Sequence, residues 1–171
     1  MGSMIREIFL SDLKEIKDLF RSVFSGPPWN EDWSDETQLS EYLKDLIEVR
    51  GSLLFGLYDE EGTLTSSSEV AQSRDGLPAS KMQGSLIGIS LGKIKHWCGG
   101  TEYYIEELCI RSDLQGKGYG RTFFKLIEEK LSELGLHTIY LMTDRNQPAY
   151  EFYKKLGFRE LPELTSFFKE F

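Results

Sequence analysis

A run of alternating glycines between an apolar strand and an amphipathic helix constrains this 171-residue chain more than any other feature. Ile105 to Ile110 is mostly apolar and ends in a polar turn. Gly116, Gly118 and Gly120 follow, and then Phe123, Phe124, Ile127 and Leu131 recur at helical spacing. Glycine takes backbone angles that other residues avoid and lets the main chain approach a ligand closely. A helix that starts directly after such a turn aims its unpaired N–H groups, and the positive end of its dipole, at one point. The segment therefore predicts a loop that holds phosphate; the bland alternative is a turn that only connects strand to helix. A Walker A loop is excluded, because no Gly-Lys-Ser/Thr string exists. A dinucleotide fingerprint would need its third glycine one place after Gly120.

The rest of the chain supplies a mixed set of elements. Ile5 to Phe9 reads as a strand. Ser11 is the expected cap of a helix carrying Leu13, Ile16, Leu19, Phe20, Val23 and Phe24, which Gly26-Pro27-Pro28-Trp29 breaks. Ser34 is the expected cap of a second helix with Leu39, Tyr42, Leu43, Leu46 and Ile47 on its apolar side. Ser52–Asp59, Ser85–Lys95 and Glu102–Ile110 read as strands, and Thr138–Thr143 as a short one between two helical segments. Thr165–Phe171 completes the set as a last strand. The predicted order is βααβββαβαβ, an α/β fold with a mixed twisted sheet flanked by helices. Residues 60–84 depart from the pattern: Ser66 to Ser68, few apolar residues and turn signals at Asp75-Gly76 and Leu77-Pro78 read as a mobile insertion or flap.

Length fits one domain, residues 1–171, with Met1–Ser3 read as a cloning scar before Met4. No run approaches the roughly 20 apolar residues that span a bilayer. Two cysteines, Cys98 and Cys109, are too few and wrongly spaced for a disulfide framework or a metal site, and His96 and His137 read as incidental. A reduced, cytoplasmic protein without a membrane partner is expected. The net charge of −8 argues against nucleic acid as partner. Its distribution is uneven. Glu31, Asp32, Asp35, Glu36, Glu41, Asp45 and Glu48 face a single base, Lys44, over residues 30–48. That segment is either a solvated helix face or a surface that attracts a cation.

A second motif joins the glycine loop. Asn146-Gln-Pro-Ala149-Tyr-Glu-Phe152-Tyr153-Lys-Lys-Leu156-Gly157-Phe158 follows the Thr138–Thr143 strand, with Asn146 as an expected cap, Pro148 in the first turn and Gly157 as the stop. Gln115-x-x-Gly118-x-Gly120, followed at this distance by N-x-x-A-x-x-[FL]-Y-x-x-x-G-F, resembles the GNAT superfamily of N-acetyltransferases, including its bacterial aminoglycoside-type members. The specific residues lie between about Glu106 and Phe158, and the element order agrees with a single GNAT-like domain. The long 60–84 segment departs from the short turn usual there.

The resemblance implies acetyl-CoA as co-substrate, with no metal. Backbone groups of Gln115, Gly116, Lys117, Gly118, Tyr119 and Gly120 would hold its pyrophosphate, with Lys117 and Arg121 adding charge. The main chain of Leu108, Cys109 and Ile110 would pair with the pantetheine arm beside a splayed sheet, and Asn146 would also bond the cofactor. Tyr153 would protonate the departing thiolate, with Tyr150 in reserve. An aliphatic amine with a pKa near 10.4 is free base in only roughly 0.04% of molecules at pH 7, so a proton must be removed. Glu106 and Glu107 are the candidate bases; strand alternation is expected to send them to opposite faces, and Glu106 is the slightly preferred one. The absence of a plausible activated nucleophile predicts direct transfer without an acyl-enzyme.

Trp29, Glu31, Asp32 and Trp33 occupy the loop that lines the acceptor site in this superfamily. They read either as a cradle for a cationic amine or as a hydrophobic plug. A small cationic acceptor, an aminoglycoside-like aminosugar or a polyamine, is the leading expectation. A protein N-terminal or lysine acetyltransferase and a non-catalytic CoA sensor are the alternatives. Homodimers are a further implication of the resemblance, with Phe167, Phe168 and Phe171 either at an interface or paired within the sheet.

Overall fold

A computed structural model describes residues 3–59 and 84–171. All of the expected insertion except Gly84 lies outside the described residues. The chain divides into two compact units, Met1–Leu141 and Met142–Phe171.

The first unit carries strands β1 (Ser3–Glu7), β2 (Ser52–Asp59), β3 (Ser85–Trp97), β4 (Gly100–Ile110) and β5 (Ile139–Leu141), with helices α1 (Leu13–Phe24), α2 (Glu36–Glu48) and α3 (Tyr119–Glu133). The strands lie in sequence order. β1 to β4 pair antiparallel, and β5 runs parallel to β4, so the fold is α/β with a mixed sheet. Ser3 pairs with Asp59 and is part of β1.

Helical spacing translates directly into packing. Ile16, Leu19, Phe20, Val23 and Phe24 of α1 and Leu39, Leu43 and Ile47 of α2 are buried with Ile8, Leu54, Ile89, Leu91 and Cys109 in one core. Each of the large aliphatic or aromatic groups contributes about 1.5–3 kcal/mol on burial. Phe123, Phe124, Ile127 and Leu131 of α3 are buried as well. Tyr103 is buried edge-on to Phe55, ring centroids 5.8 Å apart. Its hydroxyl donates to the Leu53 carbonyl at 3.0 Å, so Ser90 must donate to it, also at 3.0 Å.

Two helix starts differ from expectation: α1 begins one residue later than its predicted serine cap, after a 3₁₀ turn, and at α2 the carboxylate of Asp35 is better placed than the hydroxyl of Ser34. Asp12 rather than Ser11 precedes α1, and its carboxylate accepts the Phe9 N–H at 2.9 Å. Asp35 rather than Ser34 caps α2, accepting from the N–H groups of Thr37 and Gln38 at 2.9 and 3.0 Å. β1 also starts and ends two residues early; Ile8 lies just beyond it, with its N–H on the Leu54 carbonyl at 3.1 Å.

A β-bulge interrupts the pairing of β3 with β4. Leu91 faces Glu107 and Gly92 faces Ile105, which leaves Glu106 as the extra residue. Gly92 makes the close approach possible: a Cβ there would lie 2.6 Å from the Tyr104 carbonyl oxygen and 2.7 Å from the Tyr103 ring. Gly92→Val is accordingly expected to destabilise the fold by about 1–3 kcal/mol or more, read as a lower urea midpoint.

The second unit contains α4 (Pro148–Lys155). Asn146 does not cap it. Gln147 occupies that position without a side-chain bond, and the Asn146 N–H donates to Asp144 Oδ1 at 2.8 Å. The predicted stop at Gly157 holds: its φ is +91°, its N–H reaches the Lys154 carbonyl at 3.0 Å, and the Phe158 N–H reaches Tyr153 at 3.1 Å, a Schellman closure. The predicted last strand does not form, so the described order ends βααβββαβα. Consecutive Phe167 and Phe168 would point to opposite faces of a strand, which denies it a single apolar side. Phe167, Phe168 and Phe171 are exposed.

Candidate active site

The loop after β4 is built as a concave run of main chain. A 3₁₀ turn at Ser112–Leu114 leads into Gly116 and Gly118, with φ of +72° and +92°, and Gly118 sits at the N-cap of α3. No side chain caps that helix. Nothing lies within 4 Å of the place a Cβ would occupy at either glycine, so both positions face open space. Gln115 ties it to the strand: its side-chain amide donates to the Ile110 carbonyl at 2.9 Å. Lys117 and Arg121 are exposed, while Tyr119 and Gly120 are half-buried in the first turn of the helix. Next to the loop, Arg111 pairs with Asp113 at 2.7 Å. This geometry fits a pyrophosphate held by main chain and helix dipole.

The edge of β4 ahead of the loop is open as well. β5 pairs with β4 only through Tyr103, Tyr104 and Ile105, opposite Ile139, Tyr140 and Leu141. Beyond Ile105 no described strand pairs with that edge, which runs along Leu108, Cys109 and Ile110. Cys109 itself is buried, and burial pushes its thiol far above the usual range. That is a packing cysteine and no nucleophile.

The two glutamates do not lie on opposite faces. Directly paired residues share a face, as do residues two apart on one strand. Lys93 pairs with Tyr104 and Leu91 pairs with Glu107, so Tyr104 and Glu107 share a face although three residues separate them. Glu106, two residues from Tyr104, joins them through the bulge. A bulge needs the partner strand to be recognised, and strict alternation from sequence could not show it.

Their surroundings differ. Glu106 accepts from Lys93 Nζ at 2.6 Å. Glu107 is largely withdrawn from water and accepts a short hydrogen bond from the Tyr42 hydroxyl of α2. Burial is the main cause that lifts its carboxyl to about 7, against the lowering effect of Tyr42, with Glu31 and Glu106 adding repulsion. Burial also pushes the Tyr42 hydroxyl up, helped by Glu107, so it stays a donor. Tyr42 was legible in the sequence only as an apolar-face residue of α2.

The loop between α1 and α2 divides by role. Trp33 stacks on Tyr42 with centroids 5.1 Å apart, meets Phe20 edge-on at 5.3 Å, and donates from its indole to Glu31 at 2.6 Å. Trp29 packs against Phe24 at 5.6 Å. Both tryptophans are partly buried against the core, so the plug reading holds for their rings. Glu31 stands with the glutamates electrostatically. Asp32 does not: its carboxylate accepts the Ser34 N–H at 3.1 Å, and this turn holds its pKa below the usual value. Most other acids of the segment have local duties, Glu36 with Lys17 and Arg21, Asp35 as a cap, and Glu41 with Lys44 at 3.0 Å.

In the second unit, Tyr153 stands 5.4 Å from the Phe152 ring and 5.5 Å from Phe158, centroid to centroid. Tyr150 donates to Glu160 at 2.9 Å and lies under the Lys154 ammonium, which commits the reserve donor elsewhere.

The chain matches the acetyltransferase (GNAT) family over residues 13–158, and it belongs to that family of acetyl-CoA-dependent acetyltransferases. An aminoglycoside acetyltransferase from an uncultured soil metagenomic sample, solved with sisomicin, has a similar fold. The TM-score is 0.64 at 16% identity, over 99% of this chain and 96% of the other. A ribosomal-protein-alanine N-acetyltransferase from Brucella melitensis gives 0.63 at 16% identity, over 99% and 100%. A possible acetyltransferase from Clostridium difficile gives 0.70 at 13% identity, over 100% and 99%. Likeness at these identities concerns the fold. Curated protein sequences gave no match. No helix among the described residues is long and apolar enough to cross a membrane.

Proposed function

We propose that residues 1–171 form one N-acetyltransferase domain that moves an acetyl group from acetyl-CoA directly to a primary amine of a small cationic acceptor, an aminoglycoside-like aminosugar or a polyamine. The observation that carries this reading is the acid–aromatic cluster of Glu31, Trp33, Tyr42 and Glu107 beside the open edge of β4, with Glu107 poised at about 7. A carboxyl that titrates there is matched to proton removal at neutral pH. Sisomicin, the ligand of one structurally similar aminoglycoside acetyltransferase, agrees with a cationic acceptor.

Glu107 is the base in this reading, and Glu106 its charged neighbour. The ammonium is received by the carboxylates, and Glu107 takes its proton. The nitrogen lone pair attacks the thioester carbonyl, the C–N bond forms, and the C–S bond breaks with its electrons on sulfur. Tyr153 donates the proton to that thiolate, an assignment that rests on its motif position, and the second proton that the nitrogen sheds on becoming an amide returns through solvent to restore the tyrosine. Gly116, Gly118 and the start of α3 hold the pyrophosphate, and Asn146 adds a cofactor contact by its motif position.

The test is thiol release from acetyl-CoA across spermidine, an aminoglycoside, neutral amino acids and a lysine-containing peptide. Strong turnover with one cationic small molecule supports the reading. Turnover with the peptide alone points to a protein substrate, and CoA binding without acceptor-stimulated turnover points to a sensor. Within the cationic class, Glu31→Gln should raise the acceptor KM by about fivefold, as expected for one partly screened charge. Asp32→Asn, whose carboxylate serves its own turn, should leave it near wild type.

A further inference from the structure

Glu31 and Glu106 both act on Glu107 at the proposed acceptor site, and the ammonium of Lys93 is built in beside Glu106. Lys93 on β3 reaches Glu106 Oε1 at 2.6 Å, and its ammonium stands 5.4 Å from the centre of the Tyr104 ring. The pair is partly withdrawn from water, the two side chains being 30% and 26% exposed, so solvent screens it less than an open surface pair. The next lysine on that face of β3 is committed elsewhere. Lys95 Nζ stands 4.7 Å from the Trp97 ring, 5.3 Å from Tyr104 and 5.7 Å from Tyr140, with Glu102 at 3.9 Å.

We propose that Lys93 is a positioning residue that sets the charge of the acceptor site, holding Glu106 as an ion pair and leaving Glu31 and Glu107 to receive the acceptor's ammonium. The inference rests on the reading of Glu107 as the base. Geometry supplies its route: Lys93 is opposite Tyr104, Leu91 two residues earlier is opposite Glu107, and the bulge at Glu106 brings the ion pair onto the same face as the base. The groups facing Glu107 are Tyr42 from α2, Glu31 from the α1–α2 loop, and Glu106 and Cys109 from β4. Lys93 acts on Glu107 through Glu106. Without the lysine, Glu106 becomes a second uncompensated carboxylate beside the base. The proton on Glu107 is then held more tightly, and a doubly charged amine gains relative to a singly charged one.

The experiment compares wild type with Lys93→Met and Lys93→Arg. Glu107 is titrated by ¹³C NMR of glutamate-labelled protein, assigned by its loss in Glu107→Gln, and KM is measured for n-butylamine and for putrescine. In Lys93→Met the Glu107 midpoint should rise by roughly 0.5–1 unit. The KM ratio should move about fivefold towards the diamine. Lys93→Arg should restore both, because guanidinium keeps the charge. An unmoved midpoint together with an unmoved KM ratio overturns the inference. A midpoint that moves while wild type acetylates no amine leaves the charge coupling standing and removes the acceptor reading beneath it.

Discussion

Glu107→Gln is expected to lower kcat/KM for acetyl transfer by about 10²–10³-fold, because proton removal by a positioned side chain contributes on that order. The KM for acetyl-CoA should stay near wild type, since the cofactor loop and the strand edge are untouched. The same substitution should make the protein more stable at alkaline pH. The folded-state pKa of Glu107, about 7, stands above the ordinary 4.5, chiefly through burial. Between these values the native state binds more protons than the unfolded one, so stability falls as pH rises from 4.5 through 7. The ionised carboxylate costs about 3 kcal/mol by pH 8. Glutamine does not titrate. Thermal melts at pH 5 and pH 8 should show the variant gaining on wild type only at the higher pH. A pH-independent difference would mean that Glu107 is not held protonated in the folded state.

Gly118→Val carries the second large effect. Gly118 has φ of +92° at the N-cap of α3, where a β-branched residue is strained by about 1–3 kcal/mol. The new side chain would also fill the side of the loop that an anion approaches. The KM for acetyl-CoA should rise at least about tenfold, whichever amine is used, while Glu107 still titrates normally. Gly135 offers a control at the other end of the same helix: its φ is +73°, and a Cβ there also meets open space. Gly135→Val should lose comparable stability and leave the acetyl-CoA KM unchanged. Equal KM effects at the two positions would assign both to general destabilisation.

Local chemistry made much of this site legible from sequence. Gly116 and Gly118 announced positive φ, and Gly157 announced the Schellman stop, because each requirement is satisfied by residues a few places apart; Gly120 lies instead in the first turn of α3. The apolar spacing of α1 and α2 identified the core for a similar reason. The strand Ser52–Asp59 agreed at both ends. Apart from the helix caps, where a neighbouring residue replaced the expected one, the site features that sequence reasoning missed depend on a partner distant in the chain. The bulge at Glu106 exists only relative to Gly92 and Leu91 of β3. The raised pKa of Glu107 comes chiefly from burial in the folded core, with Glu31 adding to it and Tyr42, 65 residues away, opposing it. The last predicted strand failed for a local reason, because Phe167 and Phe168 in sequence give it no single apolar side.

The reversal between the two glutamates follows from the same cause. Glu106 had the slight preference by motif position, yet it is the residue paired with Lys93. Glu107 is the one whose surroundings place its titration near neutrality.

The pH dependence of kcat/KM for acetyl transfer to a cationic amine, in wild type and Glu107→Gln, tests the central claim most directly. The account predicts a wild-type rate that climbs about tenfold per pH unit below a bend near pH 7 and flattens above it. In Glu107→Gln that bend should vanish with most of the activity. A Glu107→Gln enzyme that keeps the wild-type rate and the bend near pH 7 would contradict the account and return the proton to another group.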